Sequence, residues 1–95
     1  MAQAAFKTIE YKGKKIPYRV KYLALKEWQK ETGKTLANLD EIDSNLEILE
    51  PLFWYSIVSG YKIQGKDNPY KRAEIAEVLD ECYLNFIKGV PSFFQ

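Results

Sequence analysis

The stretch from Tyr18 to Leu36, YRVKYLALKEWQKETGKTL, constrains the fold most, because it joins the end of a short strand directly to one amphipathic helix. Leu25 and Trp28 follow the three/four spacing of a helix face, which predicts a helix over residues 22–32. We expect its apolar stripe, with Trp28, to face the preceding strands. Gly33 then stands where a left-handed residue ends a helix.

Two short β-rich segments precede that helix. Residues 5–11 and 15–20 are separated by Lys12-Gly13-Lys14, in which glycine supplies the positive φ that a tight turn requires. Pro17 has no N–H to donate to a ladder, which indicates that the second strand is an edge strand or starts near this proline. The sequence therefore predicts an N-terminal β-hairpin over about residues 5–20.

A second helix is predicted over about residues 45–60, after an acidic connector. Ser44 and Glu47 have the spacing of a capping box, and Gly60 stands near the expected end. Apolar residues occupy most faces of this helix, so we expect it to be buried on several sides. Pro51 leaves two alternatives, a kink within the helix or a helix that starts at this proline after a separate turn.

A third helix is predicted over about residues 69–88, with Asn68 as its N-cap and Pro69 at its first position. The apolar tail, residues 91–95, has no evident pairing within the domain. Ninety-five residues suit one modest core, so we expect a single domain over residues 1–95. The predicted fold class is α+β, mostly α, with the hairpin packed on a three-helix domain.

The composition gives no positive sign of catalysis. Histidine, the commonest general base and metal ligand, is absent, and Cys82 is the only cysteine. An intrachain disulfide and a cysteine-based zinc site are therefore excluded, and Cys82 is interpreted as a buried structural thiol on an apolar stripe. We predict a non-enzymatic protein with no catalytic, cofactor-binding or metal-ligating residues.

Two local motifs support that interpretation. Gly33-Lys34-Thr35 resembles the end of a phosphate-binding loop, but Trp28 stands where that loop requires glycine, and the tripeptide closes a helix. The acidic residues between 40 and 50 lack the spacing of a calcium-binding loop, and helix capping accounts for them.

Charge is strongly segregated along the chain although the net charge is only +1. Residues 1–35 hold nine basic and three acidic side chains, whereas residues 36–60 hold five acidic and no basic ones. Such segregation can steer a partner or a second copy into register. The alternative is a solvated basic hairpin beside an acidic loop. The aromatic residues of the basic third also raise the possibility of nucleic-acid binding, which the near-neutral charge disfavours.

Aromatic residues are more numerous than one small core easily hides, with two Trp, seven Tyr and five Phe. These residue types are enriched at interfaces. The candidate partner-binding residues on the second helix and the tail are Trp54, Tyr55, Tyr61, Phe93 and Phe94.

The order of these elements resembles the tail assembly chaperones of long-tailed bacteriophages. The resemblance covers about residues 6–88. It is carried by ALKEWQKETGKTL at 24–36, by SIVSGY at 56–61 and by EIAEVLD at 74–80. The hairpin, Pro51 and the apolar tail depart from the family pattern.

The resemblance implies a non-enzymatic protein of the infected host's cytoplasm that is absent from the mature virion. Such chaperones bind the long helical tape measure protein and help to recruit tail tube protein around it. The role requires exposed apolar grooves and a tendency to self-associate along the client, without a cofactor, a small-molecule substrate or a membrane. Two alternatives are a structural virion or connector protein and a nucleic-acid-associated regulatory domain that uses the basic hairpin.

Overall fold

The computed structural model describes residues 5–94, and within them the fold is α+β and mostly helical, as predicted. The elements follow in the order β1 (Lys7–Tyr11), β2 (Lys14–Tyr18), α1 (Tyr22–Thr32), α2 (Leu46–Gln64) and α3 (Ile75–Gly89). Short 3-10 helices cover Leu36–Glu41, Arg72–Glu74 and Val90–Phe94.

The two strands form the predicted antiparallel hairpin. Ile9 lies opposite Ile16, and both side chains are buried beneath the sheet. Lys12 and Gly13 have φ values of 49° and 76°, the left-handed pair that a two-residue hairpin turn needs. The hairpin packs on two of the helices: β2 packs on α2, and β1 packs on α3.

Helix α1 packs chiefly on α2, so the expectation that Trp28 faces the hairpin is wrong. The Trp28 side chain is fully buried, and its indole N–H donates to the Ile48 carbonyl at 2.8 Å. A buried indole N–H requires an acceptor, and the first turn of α2 supplies one.

The end of α1 is as predicted. Gly33 has φ 71°, and its N–H donates to the Gln29 carbonyl at 2.9 Å. The Thr32 hydroxyl donates to the Trp28 carbonyl at 2.7 Å and accepts from the Lys34 N–H at 3.2 Å. The backbone N–H groups of Gly33 and Lys34 are thus used within the helix end, which agrees with a helix stop and not with a phosphate loop.

Helix α2 begins at Leu46, and Asn45 caps it instead of Ser44. The Asn45 side chain accepts from the Glu47 N–H at 3.2 Å, whereas the Ser44 hydroxyl donates back to the Glu41 carbonyl. The helix continues through Pro51, so the alternative in which it starts at this proline is wrong.

The predicted end of α2 near residue 60 is also wrong, because the helix extends to Gln64 and ends at Gly65, with φ 70°. Gly60 serves close packing instead. A Cβ atom there would lie 2.5 Å from the carbonyl carbon and oxygen of Pro17. Beside it, the Arg19 N–H donates to the Ser56 carbonyl at 2.9 Å, which joins the end of the hairpin to the helix.

Helix α3 begins at Ile75, six residues later than predicted. Asn68 does accept a backbone hydrogen bond, from the Tyr70 N–H at 2.9 Å, but this bond closes a local turn and not a helix. After this turn, the carboxylate of Glu74 accepts a hydrogen bond from the Lys71 N–H at 2.7 Å. The 3-10 helix Arg72–Glu74 then leads into α3.

The C-terminal segment pairs within the domain, contrary to expectation. Val90 and Phe93 are buried, and the Phe93 ring packs edge-on against Tyr18 with 5.6 Å between centroids. Tyr18 and Phe53 both contact Phe86 in the same manner, at 5.4 and 4.9 Å. Residue 95 lies outside the described residues.

Candidate binding surfaces

The five aromatic residues predicted to bind partners do not form one exposed surface. Trp54, Tyr55 and Tyr61 are half-buried and pack against the core, and Phe93 is part of the core. Only Phe94 is exposed, with 51% of its surface accessible. The described structure therefore assigns most of these side chains to internal packing.

Tyr55 belongs to a polar cluster that connects three elements. Its hydroxyl donates to the Glu31 carboxylate at 2.7 Å, and the Arg72 guanidinium binds both oxygens of that carboxylate, at 3.0 and 2.5 Å. The guanidinium also lies over the Tyr55 ring, 5.6 Å from its centroid. The cluster joins α1, α2 and the turn before α3.

Electrostatics in this cluster favour the ionised carboxylate. Hydrogen bonds from Arg72 and then Tyr55 lower the pKa of Glu31. The hydrogen bond to Glu31 in turn raises the pKa of the Tyr55 phenol. Tyr55 thus has a structural partner within the chain.

One surface groove lies between α2 and α3 and has a volume of about 510 Å³. We call it the α2–α3 groove. Its lining residues are Leu46, Glu47, Leu49, Glu50, Ala76, Leu79, Asp80 and Tyr83. The charged groups of this lining are all acidic, and Leu46 is 58% exposed. It is an apolar channel with an acidic rim.

The second groove lies between the start of α1 and the end of α2 and is named the basic groove. Its lining residues are Arg19, Lys21, Tyr22, Leu23, Ser59, Lys62 and Ile63. Tyr22, Leu23 and Ile63 are all exposed, Tyr22 by 73%. None of its residues is among the predicted partner-binding residues. The helical periodicity does contain a signal for this surface, because Leu23 stands on the opposite side of α1 from the buried Leu25.

The third groove, the terminal groove, lies where the acidic connector meets the C-terminal segment. Its lining residues are Leu39, Asp40, Ile42, Asp43, Ile87, Val90, Pro91 and Phe94. Asp40, Asp43 and Phe94 are exposed there, while Ile42 and Val90 form a buried floor. Of the predicted partner-binding residues, Phe94 is the one that this surface presents.

The described residues hold no group of three or more His, Cys, Asp or Glu side chains arranged for a metal ion. Cys82 is buried, as predicted, and its thiol donates a hydrogen bond to the Val78 carbonyl at 3.1 Å. Burial raises the pKa of this thiol to about 11, which keeps it protonated near neutral pH.

Within residues 5–94, no helix combines the length and apolar character needed to cross a membrane. Comparison with protein-family models, curated proteins and solved structures finds no match for this chain.

Proposed function

We propose that this chain is a non-enzymatic tail assembly chaperone and that its α2–α3 groove binds amphipathic helices of a tape measure protein. The observation that carries the proposal is the groove itself, an apolar channel between two helices with acidic side chains along its rim. Grooves of this kind receive the apolar face of a partner helix.

The lining favours a particular kind of client helix. Leu46 and Tyr83 are the exposed apolar side chains of the groove, at 58% and 38%, so a helix that covered them would bury apolar surface that now faces water. Glu47, Glu50 and Asp80 would pair with lysine or arginine flanking the apolar face of that helix. The expected client segments are therefore amphipathic helices with basic edges.

The rest of the proposed role follows from the resemblance. The protein would act in the cytoplasm of the infected host, keep the tape measure protein soluble, help tail tube protein to assemble around it, and be absent from the mature virion. Trp54, Tyr55, Tyr61 and Phe93 would support the fold behind the groove, because their side chains pack inside the domain or against its core.

Co-expression with the tape measure protein tests the proposal directly. We expect the two proteins to co-purify and the soluble fraction of the tape measure protein to rise. The double substitution Leu46→Ala with Tyr83→Ala removes the two exposed apolar contacts and should weaken binding at least tenfold, on the order of the loss when interface anchors are truncated.

Leu84→Ala provides the matched control. Leu84 follows Tyr83 on α3 and is 57% exposed, but it does not line the groove. This variant should bind the client like the unmodified chain. Equal binding by the groove variant, or the absence of co-purification and of any gain in client solubility, would contradict the proposal.

Two further measurements separate this role from the alternatives. Mass spectrometry of purified phage particles should not detect the chain; its presence there would favour a structural virion or connector protein. A mobility-shift assay should show no salt-dependent binding to DNA, which a nucleic-acid-associated domain using the basic hairpin would require.

A further inference from the structure

We propose that copies of this chain associate head to tail, with the basic groove of one copy seated on the terminal groove of the next. The proposal goes beyond client binding, because neither groove shares a lining residue with the α2–α3 groove. A chaperone assembled in this way would keep one client groove per copy.

Part of each surface lies at an opposite end of the longest helix. Ser59, Lys62 and Ile63 of the basic groove belong to the last turns of α2, whereas Ile42 and Asp43 of the terminal groove come just before its first turn. A helix of 19 residues is about 28 Å long. These two sets of residues are therefore too far apart to meet within one copy, whereas they can meet between two copies.

Their charges are complementary. The charged side chains that line the basic groove are Arg19, Lys21 and Lys62, all positive. Those that line the terminal groove are Asp40 and Asp43, both negative. The lining of each groove thus lacks charged groups of the opposite sign, so two like surfaces would repel and an unlike pair would attract. The basic residues 1–35 and the acidic residues 36–60 of the sequence thus contribute to two separate surfaces of the fold.

Their apolar residues are also complementary in placement. Phe94 is 51% exposed at the edge of the terminal groove, and Tyr22, Leu23 and Ile63 expose apolar surface in the basic groove. Contact between the two grooves would cover all four side chains at once. A contiguous exposed apolar patch with a polar rim marks an interaction surface, and the paired grooves would form such a patch.

The symmetry follows from the pairing of unlike surfaces. An interface between two different patches of the same chain is heterologous, so it repeats from copy to copy and produces either a ring or an open filament. Association should therefore continue past the dimer as concentration rises. It should also weaken with added salt, because Lys62, Asp40 and Asp43 are exposed to solvent.

A charge-swap experiment tests the pairing. The basic reversal variant carries Lys21→Glu with Lys62→Glu, and the acidic reversal variant carries Asp40→Lys with Asp43→Lys. In sedimentation velocity at low salt, the unmodified chain should form species larger than a monomer, and each variant alone should associate at least tenfold more weakly. An equimolar mixture of the two variants should associate again, because each then meets a surface of opposite charge.

Lys7→Glu with Lys14→Glu is the matched control for the basic reversal variant, since it makes the same change in net charge on exposed hairpin positions outside both grooves. This control should associate like the unmodified chain. Circular dichroism establishes that each variant is folded. A further variant, Phe94→Ala, changes no charge and should also weaken association. A chain that stays monomeric at low salt and high concentration, reversal variants that associate normally, or a mixture that remains monomeric would each overturn the proposal.

Discussion

At Gly60, helix propensity and tertiary packing have opposite effects on the stability of an alanine variant. Alanine in a helix interior is more favourable than glycine by about 1 kcal/mol. A Cβ atom at this position, however, would lie 2.5 Å from backbone atoms of Pro17, which have little freedom to move. We expect Gly60→Ala to lower the free energy of unfolding by about 1–3 kcal/mol, measured by urea denaturation, because overpacking outweighs propensity.

Ser56→Ala is the control for that substitution, since Ser56 lies one turn earlier on the same buried side of α2. Its hydroxyl is fully buried and has no hydrogen-bond partner among the described residues. Removing it should leave the free energy of unfolding unchanged or raise it slightly. A stable Gly60→Ala variant beside an unstable Ser56→Ala variant would contradict the described contact between α2 and the hairpin.

Cys82 should be unreactive in the folded chain. Its pKa is raised to about 11 by burial, so at pH 8 only about 0.1% of the thiol is ionised, and the thiolate is the reactive form. We expect a disulfide reagent to label the native protein at least a hundredfold more slowly than the chain in guanidinium chloride. Rapid labelling of the native protein at pH 8 would show that α3 does not bury this thiol.

At the scale of elements, the cluster of Glu31, Tyr55 and Arg72 joins α1, α2 and the start of α3. Its side chains are about 40% exposed at the ion pair, so solvent screening limits its contribution to about 0.5–1 kcal/mol. Glu31→Gln should reduce the free energy of unfolding by that amount at pH 7, measured by chemical denaturation. Glu27→Gln, an exposed carboxylate on the same helix, is the matched control and should have no measurable effect.

The stability contributed by Glu31 should depend on pH in one direction. The folded-state pKa of Glu31 is lowered by Arg72 and Tyr55, so its contribution is present above the ordinary carboxyl pKa and is lost as pH falls through the lowered value. The difference in stability between the unmodified chain and Glu31→Gln should therefore shrink in acid. A difference that is constant between pH 7 and pH 3 would show that the carboxylate does not hold these partners.

The boundaries of elements could be predicted where the signal is local. Gly13 and Gly33 were identified correctly because a tight turn and a helix end each require positive φ from the residue itself. Gly60 was misread as a helix end, since its role depends on Pro17, which is distant in sequence. The prediction that Asn68 caps the third helix is wrong for a related reason. Its side chain accepts from the Tyr70 N–H and closes a local turn, but the chain does not continue from that turn into a helix.

At the scale of the whole molecule, the surplus of aromatic residues is divided between core and surface in a way that composition cannot reveal. The hairpin brings Tyr18 over α3, which creates a place for Phe93 and leaves its neighbour outside. The candidate grooves depend on the same three-dimensional arrangement, because each is lined by segments distant in sequence. The charge segregation was visible in the sequence, but the surfaces that present it were not.

Adjacent phenylalanines at the C-terminal end therefore provide the clearest test of this division. Phe93 is 6% exposed and contacts Tyr18, so Phe93→Ala should lower the free energy of unfolding by about 3 kcal/mol in a urea titration. Phe94 is 51% exposed, so Phe94→Ala should change stability by no more than about 0.5 kcal/mol and should instead weaken the proposed head-to-tail association. The reverse assignment of effects would mean that the C-terminal segment packs with Phe94 inward, which would remove the apolar contact on which the terminal groove depends.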